Sequence, residues 1–333
     1  MSPSDEFEPV EHDVQVGWAL YSVRPEDPRI AEIAQRVLAG HPWMNGMRIL
    51  LAKHRYACGD VTVARELLRA VVGDDDERSL GAARELVSLE HHQGDHAEAL
   101  RWAEFVVRAA QDRWRDRMDL GGMTALTGNF EEGWRLLDDA VAMCARTDAR
   151  SLPVALVRRA LFLLESFAPP ERFAAAAEEA VHADPSDEFV SGPLIWAYLH
   201  QGRFADAEEL ALRVLRVNPL EASASTPLTM MRNLRKTLGE DGQTLDDLHR
   251  TGVFARLWAD MRDQRLGLDL AAALDALGAV MPAELRKTLR PPVDAEAADE
   301  GSLTTEIAMW HAGQDPGAGA VWGLPGDFRL MTS

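Results

Sequence analysis

The chain has 333 residues, of which 47% are hydrophobic, so its length allows one elongated domain or several compact ones, and its composition excludes wholesale disorder. Asp and Glu total 54 against 35 Lys and Arg, and the resulting formal net charge of −19 disfavours a nucleic-acid partner. Two cysteines are too few for a disulfide framework or a cysteine-rich metal site. The first residues are acidic where a secretion signal needs positive charge, and no stretch approaches the ~18 apolar residues of a membrane span. We therefore expect a cytoplasmic protein without a nucleic-acid or membrane partner.

Helix-forming residues dominate the chain. Ala and Leu are abundant, only three tyrosines are present, and Val and Ile seldom alternate with polar residues. Strand signals are therefore scarce, and the composition predicts an all-α protein.

One pattern recurs along the chain: an apolar helix, a short breaker and an Ala-rich helix. Breakers at Gly59, Gly94 and Gly128 lie 35 and 34 residues apart, and the 74 residues from Gly128 to Gly202 leave room for two units, with Pro169-Pro170 as the missing breaker. The predicted breakers are, in chain order, Pro25, Gly59, Gly94, Gly128, Pro169-Pro170 and Gly202, with a looser one at Gly239–Gly242. Such a period indicates stacked helical hairpins.

The pattern resembles the tetratricopeptide repeat (TPR) family. The copy around Gly202 has the family's characteristic residues at Leu194, Tyr198, Gly202, Phe204, Ala207 and Pro219. The copy around Gly128 departs from the pattern, with Gly133 where a small Ala is usual. The resemblance implies an α-solenoid of about six to seven TPR-like hairpins, with the first helix of each hairpin lining a concave inner face.

The predicted organisation has four parts. They are a flexible leader at 1–10, the TPR-like solenoid at 11–220, a helical continuation and cap at 221–290, and an acidic linker with a Gly-rich aromatic tail at 291–333. The tail contains the apolar anchors Trp310, Trp322 and Phe328. Three roles stay open for it: an irregular arm that caps the solenoid, a pseudo-ligand or partner-binding segment, or plain disorder.

The family's inward-facing positions predict which side chains line a ligand-binding groove. They are Ile49, Lys53, Tyr56, Arg84, Ser88, His91, Arg115, Met118, Trp196 and His200. Such a lining is more basic than the whole chain and favours an extended peptide with acidic or C-terminal carboxylate groups and an apolar anchor near Trp196. The alternative is that several of these cations pair with neighbouring Asp or Glu.

A polar cluster contains His91, His92 and His96, which are weak candidates for metal ligands. Because Gly94 is a predicted breaker, the histidines fall on different helices or on the turn, and Asp95 is predicted to cap the following helix. No phosphate-binding loop, nucleophile elbow or zinc-protease signature is present in the sequence. We expect no metal and no cofactor, and nothing in the sequence supports catalysis.

These observations favour a non-catalytic scaffold or adaptor that binds a protein or peptide on the concave face. One alternative resembles bacterial peptide-signal receptors built from such repeats, with the tail as a pseudo-ligand. The other is a metal-dependent protein or enzyme centred on His91, His92 and His96.

Overall fold

Helices occupy the chain between the predicted breakers. A computed structural model describes residues 4–73, 79–110, 113–185, 188–240 and 242–263, and these ranges contain fifteen α-helices, one short 3₁₀ helix and no β-strand. The all-α prediction is confirmed.

The first of two compact units is formed by the described residues up to Thr147. Each helix packs against the next along the chain, so the unit is a stack of four helical hairpins. Its helices are α1 (Ser4–Val23), α2 (Pro28–Gly40), α3 (Asn45–Ala57), α4 (Val61–Val72), α5 (Ser79–His92), α6 (His96–Ala109), α7 (Trp114–Leu126) and α8 (Phe130–Thr147).

The second unit begins at Asp148. It contains two further hairpins and a helical continuation, and here too each helix packs against its successor. After a 3₁₀ turn (Ala149–Ser151) come α9 (Leu152–Glu165), α10 (Pro170–Ala183), α11 (Glu188–His200), α12 (Phe204–Val217), α13 (Ala222–Glu240), α14 (Leu245–Arg250) and α15 (Val253–Asp263). Both units thus have the hairpin-on-hairpin packing of an α-solenoid, as predicted.

Helix α1 begins at Ser4, within the segment 1–10 that was predicted as a leader. Val10, Val14 and Trp18 follow one another at helical spacing and pack against the buried cluster of the first hairpins. This apolar stripe packs α1 from Val10 onwards against the first hairpins. The predicted tail at 291–333 and the end of the predicted cap lie outside the described residues.

Positive-φ glycines end the first helix of several hairpins. Gly59, Gly94 and Gly128 have φ of 84°, 78° and 98°, a region that L-residues rarely adopt. At Gly94 the backbone N–H bonds to the His91 carbonyl (2.9 Å), and the next N–H bonds to the Glu90 carbonyl (2.9 Å). These bonds satisfy carbonyls at the end of the helix and reverse the chain.

The fifth hairpin turns on a phenylalanine. Phe167 has φ of 59°, and its N–H bonds to the Leu164 carbonyl (3.2 Å) while the Ala168 N–H bonds to the Leu163 carbonyl (2.9 Å). The turn predicted at Pro169-Pro170 therefore lies two residues earlier. Pro170 instead begins α10, where its fixed φ suits the first helical position.

We expect Phe167→Gly to be more stable than Phe167→Ala by about 1 kcal/mol, because only glycine adopts this φ without steric cost. Both variants lose the same ring, so the comparison isolates the backbone term. Urea unfolding of the two variants measures the difference. If the alanine variant is as stable as the glycine variant, the left-handed turn at Phe167 is wrong.

Small side chains bring the two helices of a hairpin together. Ala64, Ala99 and Ala207 on second helices have no exposed surface. Leu86 is buried on the first helix of the hairpin that contains Ala99, and Leu194 on the first helix of the hairpin that contains Ala207. The α7–α8 hairpin is packed even more closely, because Gly133 lies against the Ala125 backbone. Gly133, where the repeat pattern usually has Ala, thus leaves room for the close approach of α7 and α8.

Candidate functional site

The first helices of the first unit lie side by side. Beyond the contacts within each hairpin, α1 contacts α3, α3 contacts α5, and α5 contacts α7. Their adjacent sides form one surface, here called the first-helix face. Its half-buried and exposed side chains include Ile49, Lys53, Tyr56, Arg84, Glu85, Ser88, His91, His92 and Arg115.

Two ion pairs connect successive hairpins across this face. Lys53 Nζ on α3 lies 2.6 Å from a Glu85 carboxylate oxygen on α5. Arg84 on α5 donates two hydrogen bonds, of 2.7 and 2.8 Å, to the two carboxylate oxygens of Asp116 on α7. Both pairs span 32 residues, so each cation meets a carboxylate on the next first helix. The hydrogen bonds from Arg84 to Asp116 raise the pKa of the guanidinium.

This pairing changes the chemistry expected of the face. Lys53 and Arg84, the cations predicted to attract a carboxylate ligand, already have carboxylate partners in the chain. For these two residues the structure therefore shows the alternative considered above, in which the cations pair with Asp or Glu of the same chain. The sequence had no local signal for it, since Glu85 and Asp116 are only two among many acidic residues.

Other predicted groove residues are divided between surface and core. Ile49 and Tyr56 are half-buried and pack against the core of their hairpins. Met118 has no exposed surface and Trp196 is only 6% exposed, which corrects the expectation that they line an open surface. Both side chains pack in the interior of the hairpins that contain them.

Two further predicted groove residues are held by neighbouring groups. The Arg115 guanidinium lies 5.2 Å from the ring centre of Trp114. His200 belongs to the second unit, where its carbonyl accepts a hydrogen bond from His249 Nε2 (2.8 Å) and its ring is 6.2 Å from that of Trp258. The helices α14 and α15 therefore pack beside the position where a peptide was expected near His200.

One end of the first-helix face has a group of polar and aromatic side chains. The Tyr56 ring on α3 lies 6.4 Å from the His92 ring on α5. Ser88 and His92 are exposed, and His92 Nδ1 is 2.6 Å from the Ser88 carbonyl oxygen. Because a carbonyl only accepts, this contact places a proton on Nδ1.

The histidine cluster lies around the turn between α5 and α6, as predicted. The ring of His91 is 5.5 Å from the ring of His92 and 5.5 Å from that of His96. Asp95 caps α6 by accepting a hydrogen bond from the Glu98 N–H (3.1 Å). In the part of the chain that the structure describes, no group of three or more His, Cys, Asp or Glu residues could hold a metal ion. The tail anchors Trp310, Trp322 and Phe328 lie outside this part.

The second unit contains a groove that the sequence did not indicate. It has a volume of about 240 Å³ and lies between α10 and α12, with Leu194 and Tyr198 of α11 among its lining residues. The Arg203 guanidinium lies 4.2 Å from the Tyr198 ring centre and forms ion pairs with Glu178 (2.5 Å) and Asp206 (2.7 Å). Arg203 therefore connects the three helices at one end of the groove.

Burial, reinforced by Glu178, raises the pKa of Tyr198 to about 12 from 10.0. The folded state favours the neutral phenol of Tyr198. The stabilisation of the fold by this neutral phenol is therefore present below pH 10 and is lost as the pH rises towards 12. We expect Tyr198→Phe to lose less stability than the parent over this interval. Urea unfolding as a function of pH measures the effect, and an identical pH dependence in both proteins would contradict the burial of this phenol.

Within the described residues, no helix has both the length and the apolar character that crossing a membrane requires.

The chain is similar to solved structures of other proteins. No family model and no curated protein matches the chain. The C-terminal part of a TPR repeat-containing protein from Cytophaga hutchinsonii is 11% identical, and the match covers 72% of this chain and 98% of that chain with a TM-score of 0.46.

Proposed function

We propose that the chain is a non-catalytic scaffold that binds a partner protein by holding an extended peptide on the first-helix face. The main support is the pair of cross-hairpin ion pairs, Lys53–Glu85 and Arg84–Asp116, which hold α3, α5 and α7 beside one another. Aligned helices present side chains at regular intervals along one surface, which suits the recognition of an extended chain.

Burial along the face also supports this role. Ser88 and His92 are exposed on α5, while every residue of α3 is buried or half-buried. A surface whose side chains are mostly restrained loses little conformational entropy when a ligand binds. Because Lys53 and Arg84 are already paired, a carboxylate ligand would have to compete with Glu85 and Asp116, which weakens the case for an acidic peptide.

A pair of arginine variants tests the proposal. Short random peptides are selected for binding to the full chain, and their affinities are then measured against Ser88→Arg and Ala97→Arg. Both positions are exposed on the third hairpin, but Ser88 is on the first helix and Ala97 on the second. We expect Ser88→Arg to weaken binding about tenfold or more, because its long charged side chain obstructs the face.

The Ala97→Arg control adds the same charge and should change affinity by less than about twofold. Equal losses in the two variants, or selected peptides that are insensitive to Ser88→Arg, would remove the first-helix face from the proposal. Circular dichroism of both variants verifies that they remain helical.

A further inference from the structure

In the pair between Lys53 and Glu85, the carboxylate is the more accessible partner. The Glu85 side chain is 26% exposed and the Lys53 side chain 10%. The Lys53 ammonium is therefore the more buried of the two charged groups. The more accessible charge of this pair is therefore negative, whereas in the Arg84–Asp116 pair it is positive, with side-chain exposures of 29% and 4%.

Two aromatic rings lie in the same part of the face. Lys53 and Tyr56 are separated by three residues on α3, and Glu85, Ser88 and His92 follow one another at helical spacing on α5. The rings of Tyr56 and His92 are 6.4 Å apart, with 58° between their planes. A carboxylate and an aromatic ring both suit a cation.

We infer that this patch of Tyr56, Glu85 and His92 recognises a basic side chain, arginine above all, within the extended peptide. The inference rests on the proposed function and names the partner's chemistry at one position. A guanidinium offers donors for Glu85 and a planar surface for the rings. The net charge of −19 adds long-range attraction for a basic partner.

A positional-scanning peptide library tests the inference. The peptides are acetylated at the N-terminus and amidated at the C-terminus, so that terminal charges play no part. We expect arginine or lysine to be enriched at one position of the peptides that bind the full chain. The best arginine peptide should lose about tenfold or more in affinity to Glu85→Gln, since a charge-assisted hydrogen bond is lost.

Glu104→Gln is the matched control. It removes the same charge from an exposed position on α6, away from the first helices, and should change affinity by less than about twofold. Equal effects of the two glutamine variants would show general charge attraction and overturn the inference. A preference for Asp or Glu at every selected position would overturn it too.

Because Glu85→Gln leaves Lys53 without its carboxylate, a second variant provides a separate measurement. Tyr56→Leu keeps an apolar side chain but removes the ring, and it should weaken the arginine peptide more than the same peptide with glutamine in place of arginine. Equal weakening of the two peptides would contradict the inference.

The two proposals fail in different ways. Peptides that lose affinity to Ser88→Arg but show no basic preference would leave the scaffold function in place and refute only the recognition of a basic side chain. If no selected peptide responds to Ser88→Arg, the proposed function fails and the inference fails with it.

Discussion

Gly133→Ala is expected to destabilise the first unit by about 3 kcal/mol. A Cβ at this position would lie 2.4 Å from the Ala125 backbone nitrogen and 2.7 Å from its Cα. The obstacle is mainly backbone, which no side-chain rotation can move. The α8 helix would have to shift away from α7 and open the closest helix contact of that hairpin. Urea unfolding followed by circular dichroism measures the loss.

Gly46→Ala is the control for this prediction. Gly46 is also helical, but a Cβ there meets no heavy atom within 4 Å. Alanine favours the helix by up to about 1 kcal/mol over glycine, so this variant should be as stable as the parent or slightly more stable. Similar stabilities of Gly133→Ala and Gly46→Ala would show that the close α7–α8 contact is wrong.

Arg65→Met is expected to cost about 3–5 kcal/mol, because it leaves a buried carboxylate without its main partner. Glu90 is 1% exposed and accepts two hydrogen bonds of 2.7 Å from Arg65. Arg69 also lies 3.9 Å from this carboxylate but is half exposed. Methionine retains much of the packing volume, so the loss reports on the uncompensated charge.

Two further variants isolate the charge effect. Adding Glu90→Gln to Arg65→Met should recover part of the stability, since a neutral amide is easier to bury than a carboxylate. Arg69→Met removes the same charge from a more exposed side chain and should cost about 1 kcal/mol or less. If the double variant is no more stable than Arg65→Met, burial of an unpaired charge does not explain the loss.

Much of the fold could be predicted from sequence because the information is local. The turns at Gly59, Gly94 and Gly128 use the left-handed conformation, and glycine is the residue that adopts it at low cost. The fifth turn was predicted two residues too late, because no glycine marks it. Phe167 adopts that conformation without being glycine, and the conspicuous Pro169-Pro170 belongs to the start of the next helix.

The candidate site was only partly predictable. The helical repeat places Lys53, Tyr56, Arg84 and Ser88 on first helices, and this assignment agrees with the structure. Whether such residues are exposed depends on neighbouring helices, and Met118 on α7 is fully buried although it matches an inward-facing position. Repeat position alone does not determine how deeply a side chain lies.

By itself the sequence determined the helical class, the repeat period and most hairpin turns, because these depend on residues close together in the chain. The tertiary structure alone decided the charge of the first-helix face. Lys53 and Arg84 meet carboxylates 32 residues further along, so the two cations predicted to attract a ligand are paired within the chain. Ion pairing depends on distances of a few ångströms, and only the packing of one hairpin on the next establishes those distances.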